Sequence, residues 1–259
     1  MEKLMNDTQS FLVFLLGGYD LEMLTIKQML EERDNCVIVD KHLQWDNAFL
    51  SAYKNELSQY ADQEVYAIEL HDDVPIPVNC HIIDHHGQRE DNSTALEQVA
   101  ELLGVTLNRY QQLVAANDRG YIPAMIAMSA TQEEIDIIRK NDRQAQGTGQ
   151  NDELKAEQSI ATNMSKSGKL TIVHSLTHRF SCISDRLFPY HSLLIYDDSS
   201  WSFYGEGKTQ LVAQLRKEII QNKVYYGGGE KGFIGCARNA YSRDEIFHFV
   251  EQIKKRYGR

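Results

Sequence analysis

Residues 80–86 have the sequence CHIIDHH, in which a short apolar stretch ends in an acid and two adjacent histidines. The stretch His81–Ile83 is typical of a β-strand. An acid and two imidazoles directly after a strand contribute little to a hydrophobic core. We therefore interpret Asp84, His85 and His86 as functional residues, because the charge of histidine changes readily near neutral pH.

On both sides of this segment, short apolar stretches alternate with helical patterns. The predicted strands of the first half are Phe11–Leu16, Cys36–Val39, Val65–Leu70 and His81–Ile83. The predicted helices are Leu21–Arg33, Ala48–Tyr60, one that begins at Thr94 and ends before Gly104, Leu107–Ala116 and one that begins at Thr131. Such alternation predicts an α/β fold, a mostly parallel sheet with helices on both faces.

A polar segment with two glycines, residues 141–157, separates two parts of the chain. We predict one domain over residues 1–140, a linker over 141–157 and a second domain over 158–259. The predicted strands of the last part are Lys169–Leu176, Leu193–Tyr196, Ser202–Tyr204 and Gly232–Ala237, and its predicted helices are Gln210–Gln221 and Asp244–Tyr257. This part is expected to be a smaller α/β or α+β domain.

The 259 residues include 27 Lys and Arg against 37 Asp and Glu, which gives a formal net charge of −10. An acidic chain without a long basic stripe binds duplex DNA poorly, because the phosphate backbone repels it. The longest apolar run, Phe11–Leu16, is far shorter than the ~20 residues of a membrane helix. We therefore expect a cytoplasmic protein that binds neither duplex DNA nor a membrane.

Polar side chains follow the predicted strands of the first half. Ligands bind at the carboxyl ends of parallel strands, and acids and imidazoles gathered there would repel one another without a cation. Such groups are suitable ligands for Mn²⁺ or Mg²⁺, and two ions about 3.5–4 Å apart can activate a water for attack on phosphorus. The residues concerned are Asp20, Glu22, Glu69, Asp84, His85, His86 and, after a predicted helix, Asp118.

Some of these residues have simpler interpretations, which the sequence leaves open. Asp20 could be a turn residue, and Glu22 could be an acid in the first turn of a helix. Asp118 could belong to a helix exit. Glu69 is harder to explain structurally, because it interrupts an apolar strand.

The stretch His81–Gly87 resembles the signature of the DHH phosphoesterase family, which includes RecJ-type exonucleases, oligoribonucleases and exopolyphosphatases. Asp20–Glu22 is similar to the paired acids of that family, and Glu69 and Asp118 lie near its further motif acids. The stretch Gly227–Phe233, GGGEKGF, resembles the glycine-rich substrate loop of its second domain. The resemblance covers both halves of the chain in the same order.

The resemblance implies a role for each matching residue. The metal ligands would be Asp20, Glu22, Glu69, His85 and Asp118, for one or two Mn²⁺ or Mg²⁺ ions per chain. The catalytic residues would be His86, facing the substrate phosphate, and Asp84, orienting its neighbours. The candidate substrate-binding residues are Arg119, Gly228, Gly229, Lys231 and Arg238.

Several positions depart from the pattern of the family. Leu16 stands where a metal-binding histidine is usual, and leucine cannot bind a metal. Glu22 and Glu69 replace aspartates, and an extra methylene displaces a carboxylate in a site where groups are held within about 0.5 Å. Glu230 replaces a histidine of the glycine-rich loop. These departures could mean a one-metal enzyme, an altered substrate or a loss of hydrolysis.

The sequence thus predicts a divalent-metal-dependent phosphoesterase. Its substrate would be a small phosphate ester, such as a short single-stranded oligonucleotide or a nucleotide. The alternative is a catalytically impaired relative that binds a nucleotide, a phosphate or a partner protein. Whether two chains form a homodimer is left open.

Overall fold

The computed structural model describes residues 11–86, 89, 91–227 and 232–258. The contacts of the chain group it into two compact units, which divide between Ala115 and Ala116. Each unit has its own β-sheet and helices, so the predicted α/β class is confirmed. The division lies inside a helix, α4 (Arg109–Ala127), which begins in the first unit and ends in the second.

Four parallel strands form the sheet of the first unit, in the order β2-β1-β3-β4. The strands are β1 (Leu12–Leu16), β2 (Cys36–Asp40), β3 (Glu64–Ile68) and β4 (Cys80–Ile83). The helices are α1 (Leu21–Glu31), α2 (Lys54–Gln59) and α3 (Ala95–Leu103), with short 3₁₀ helices at Trp45–Asn47 and Leu50–Tyr53. Because the strands are parallel, their carboxyl ends lie at the same edge of the sheet.

Local sequence signals explain where α3 begins and ends. The Thr94 side chain accepts a hydrogen bond from the Glu97 N–H, and the Glu97 carboxylate accepts one from the Thr94 N–H. Gly104 ends the helix with a φ of +65°, a conformation that glycine adopts without strain. One apolar core of this unit includes the buried side chains of Val13, Leu15, Leu50, Tyr53, Val65 and Leu70.

A six-stranded mixed sheet forms the second unit, in the order β5-β6-β7-β8-β10-β9, in which only β6 and β7 pair in parallel among the described residues. Its strands are β5 (Met164–Ser167), β6 (Leu170–His174), β7 (Ser192–Tyr196), β8 (Trp201–Gly205), β9 (Val224–Gly227) and β10 (Phe233–Cys236). Its other helices are α5 (Gln132–Ala145), α6 (Gln150–Asn163), α7 (Ser181–Leu187), α8 (Lys208–Gln214), α9 (Arg216–Ile220) and α10 (Arg243–Tyr257). The expected pairing of the strands near Leu193–Tyr196 and Ser202–Tyr204 is confirmed.

The segment predicted as a linker, residues 141–157, is mostly helical. Helix α5 continues to Ala145 and α6 begins at Gln150. The polar side chains of this segment pair with other side chains: the Arg143 guanidinium bonds to Glu153 and Asp185. Polarity here therefore marks a network of ion pairs. The predicted domain limits, 1–140 and 158–259, stay a prediction.

The sequence also missed the short strands β5 and β9 and the helix α7. Strand β5 is mostly exposed, so its residues lack the apolar pattern of a strand. Among the described residues, no helix is both long and apolar enough to cross a lipid bilayer.

Candidate metal centre

The ends of strands β3 and β4 bring an acid and two histidines together. Ile68 pairs with Ile83, and Glu69 and Asp84 come directly after these residues. The backbone N–H of Glu69 donates to the Ile83 carbonyl at 2.8 Å, which continues the pairing past the strand ends. Glu69 and His85 are buried, with 3% and 9% of their surface exposed.

The side chains that meet here form a candidate set of metal ligands. Glu69, His85 and His86 each offer a ligand atom, and these atoms lie within 4.8 Å of one another. His85 Nε2 lies 3.5 Å from Glu69 Oε1 and 3.9 Å from Glu22 Oε2. These distances exceed those of ordinary hydrogen bonds. They fit ligands of one ion, because two atoms each about 2.1 Å from a metal lie about 3–4 Å apart.

The backbone at Glu69 is strained and closely packed. Glu69 has a φ of +50°, in the left-handed region that side chains other than glycine rarely adopt. Gly17 packs against it: an ideal Cβ on Gly17 would lie 2.2 Å from the Glu69 carbonyl oxygen. Only glycine fits at Gly17, and this close approach fixes the turn that carries the Glu69 carboxylate. Strain of this kind is typical of functional sites.

Asp20 and Glu22 both have roles in the fold of the first unit. The Asp20 carboxylate caps α1 by accepting from the Met23 N–H at 2.9 Å. Glu22 is buried, and its Oε1 accepts from the Leu96 N–H at 2.9 Å, in the first turn of α3. The Oε2 of Glu22 is the oxygen that faces His85. Glu22 thus joins α1 to α3 while presenting an oxygen to the candidate centre.

Asp84 holds His86 in one orientation. Its Oδ1 accepts from the His86 backbone N–H at 2.9 Å and bonds to His86 Nδ1 at 3.1 Å, and its Oδ2 accepts from Arg89 at 3.2 Å. Burial raises the pKa of Asp84, but the hydrogen bonds from His86 and Arg89 outweigh it and lower the pKa to about 2. An ionised carboxylate can only accept, so we assign a proton to His86 Nδ1, which leaves Nε2 for another partner.

Asp84 and His86 are contacted by two further residues, which sequence analysis did not identify as part of the site. Arg89 forms an ion pair with Asp84. Trp45 lies beside His86, with ring centroids 5.1 Å apart. The sequence contains one indication of a group packed at this position, the glycine pair Gly17-Gly18 after β1. Consecutive glycines often mark a place where the backbone closely approaches another group.

The remaining predicted residues belong to the second unit or lie outside the described residues. Asp118 and Arg119 are in α4, in the part that belongs to the second unit, just before the helix breaks at Gly120 and Tyr121. Arg238 follows β10, is exposed and lines a cavity of about 140 Å³ in the second unit. The loop residues expected to bind substrate, Gly228, Gly229 and Lys231, lie outside the described residues, as does Glu230.

The chain matches no protein-family model and no curated protein. Among solved structures, the pGpG-specific phosphodiesterase PggH from Vibrio cholerae is 12% identical, with a TM-score of 0.47 over 95% of this chain and 98% of the other. A DHH domain described as belonging to a family of ribosomal proteins is 10% identical, with a TM-score of 0.47 over 94% of this chain and 86% of the other.

The chain resembles DHH-domain proteins. RecJ from Thermus thermophilus, in complex with Mn²⁺, is 12% identical, with a TM-score of 0.47 over 96% of this chain and 52% of RecJ. At such identities and TM-scores, the assignment of an activity rests on the side chains of the candidate centre.

Proposed function

We propose that the chain is a divalent-metal-dependent phosphoesterase that hydrolyses a small phosphate ester, such as a short single-stranded oligonucleotide or a nucleotide. The observation that carries the proposal is the arrangement at His85. Its Nε2 faces two buried carboxylates, Glu22 and Glu69, at distances that suit ligands of a shared cation. Two carboxylates close together in a buried site repel each other, and a divalent cation offsets that repulsion.

Oxygen and imidazole ligands favour Mn²⁺ or Mg²⁺ over metals that prefer thiolates. We propose Glu22, Glu69 and His85, all in the first unit, as ligands of the ion. Asp20 caps α1, and Leu16 has no ligand atom in its side chain, so we propose one ion per chain. When bound, that ion would lower the pKa of a water and screen the charge of the phosphoryl oxygens.

His86, Asp84 and Arg89 would each have a separate role in hydrolysis. His86 is the half-exposed member of the cluster, so its Nε2 can reach a phosphate oxygen or the leaving group. Asp84 keeps the His86 ring in place, as a carboxylate partner does for a histidine that transfers a proton. Arg89 neutralises part of the charge on Asp84, which keeps that carboxylate ionised.

The test is His85→Ala, compared with His81→Ala as the matched control. His81 lies in the strand that precedes His85, but its side chain is 49% exposed and pairs with Glu64. We expect His85→Ala to lose Mn²⁺ from elemental analysis and to lower Mn²⁺-dependent hydrolysis of bis(p-nitrophenyl) phosphate at least about 100-fold. His81→Ala should retain both. Full activity in His85→Ala would remove the site assignment.

A second candidate is a protein that binds a nucleotide without cleaving it. The cap that Asp20 forms on α1 favours this candidate. Asp20 matches one of the paired metal-binding acids of the DHH family, and a carboxylate that caps a helix is less available as a metal ligand. Wild-type protein that binds Mn²⁺ and AMP but hydrolyses neither phosphodiesters nor phosphomonoesters would support it.

A further inference from the structure

We propose that Trp45 packs against the nucleobase of the substrate, so that the site selects nucleotides over phosphate esters without an aromatic ring. This inference rests on the proposed function, since it names the substrate class of the same site. Base stacking on an aromatic side chain contributes about 1–3 kcal/mol per base, and it tolerates every base because each has a flat π-face.

The indole of Trp45 lies flat on the backbone of the loop after β1. An ideal Cβ on Gly18 would lie 2.5 Å from both Cδ2 and Cε2 of Trp45. The bond between these atoms is shared by the two rings, so a point near both lies over a face of the indole. Glycine at Gly18 therefore makes room for the ring, and the loop covers part of one face.

The same indole is next to the histidine proposed to face the phosphate. The ring centroids of Trp45 and His86 lie 5.1 Å apart, with their planes at 68°. Trp45 is half-buried, so part of its surface stays open. Its indole N–H makes no hydrogen bond to any residue that the structure describes, which leaves this donor for solvent or a ligand. A nucleotide whose phosphate meets His86 has its base within reach of this surface.

The backbone that carries Trp45 is held by a closed set of hydrogen bonds. The Gln44 N–H donates to the Asn47 side chain at 2.8 Å, and the Asn47 N–H donates to the Gln44 carbonyl at 2.9 Å. The 3₁₀ helix Trp45–Asn47 is therefore fixed from both ends. An aromatic surface that is already in place costs little entropy when a base packs on it.

The test compares the binding of AMP and ribose 5-phosphate, which share a phosphate and a ribose and differ in the base. Trp45→Leu should raise the Kd of AMP roughly five- to 150-fold, the change that stacking of about 1–3 kcal/mol represents. The Kd of ribose 5-phosphate should stay the same. Trp45→Phe keeps an aromatic ring and should retain most of the affinity for AMP. Calorimetry is done with EDTA and, separately, with Mn²⁺.

The outcomes separate this inference from the proposed function. Equal losses for AMP and ribose 5-phosphate would overturn the inference, as would unchanged AMP binding or no AMP binding in the wild type under either condition. A selective loss of AMP binding supports it even if no phosphate ester is hydrolysed, and in that case only the proposed hydrolysis fails. Thermal denaturation of Trp45→Leu and Trp45→Phe checks that both variants are folded.

Discussion

Single atoms at the edge of the first sheet decide how the candidate centre is built. Glu69 reaches the centre through a backbone turn with positive φ, and Gly17 packs against the carbonyl of that turn. Glu22 divides its two oxygens between the Leu96 N–H and His85. Glu69 and Glu22 therefore each contribute both to the fold and to the candidate centre. Substitutions at these positions should affect stability and metal binding together.

The substitution Gly17→Ala tests whether the turn at Glu69 positions the carboxylate for metal binding. The new methyl group would meet backbone oxygens of Ile68 and Glu69 at 2.4 and 2.2 Å, so the turn at Glu69 must move. We expect a loss of about 1–3 kcal/mol in the free energy of unfolding and at least a tenfold weaker affinity for Mn²⁺, measured by urea denaturation and calorimetry. Gly149→Ala is the matched control, since the nearest atom to its Cβ would be 3.9 Å away. Unchanged metal affinity in Gly17→Ala would contradict the role given to this turn.

At the scale of elements, a buried guanidinium joins helices of the second unit. Arg139, in α5, bonds through Nη1 to Asn117 in α4 and to Asp142, and through Nε and Nη2 to Asp185 in α7. Its guanidinium also lies over the ring of Tyr121, 5.1 Å from the centroid. Tyr121 has a φ of +54° at the break in α4, so Arg139 supports the strained part of this helix.

Arg139→Met should destabilise the second unit by about 3–5 kcal/mol, because the carboxylates around it stay buried and lose their positive partner. The control is Arg243→Met, whose guanidinium pairs with Asp198 where both side chains are more than half exposed. That change should cost at most about 1 kcal/mol. Denaturation in urea measures both, and equal losses in the two variants would show that Arg139 does not hold the helices together.

The whole chain consists of two compact units with separate apolar cores, and the candidate ligands Glu22, Glu69 and His85 belong to the first. A ligand that binds only the folded state stabilises it in proportion to the logarithm of its concentration. Metal binding should therefore raise the melting temperature of the protein, whether or not the protein catalyses hydrolysis.

Mn²⁺ at about 100 times its Kd adds about 2.7 kcal/mol to the stability of the folded state. For a chain of this size, we expect the Tm of the wild type to rise by roughly 5–10 °C. EDTA should reverse the rise, and His85→Ala should show none. Differential scanning calorimetry measures the shift. A similar rise in His85→Ala would place the binding of Mn²⁺ elsewhere in the chain.

The amino-acid sequence alone predicts the order of most strands and helices and the beginnings of α3 and α5. These features depend on neighbours a few residues apart: short apolar stretches mark β1 to β4, and the pairs Thr94–Glu97 and Thr131–Glu134 cap their own helices. The signature Asp84–His86 was also visible, because a strand and the polar residues after it are continuous in the chain.

Which residues meet at the candidate centre depends on how the chain folds. Glu22 and His85 are far apart in sequence, and so are Gly17 and Glu69, and no local pattern records that they touch. The helices within residues 141–157 could not be predicted from the sequence for the same reason. Polar residues form the same pattern along the chain whether their charges face water or pair with Asp185 from another helix. Contacts between distant residues are decided by packing, and packing is a property of the folded chain.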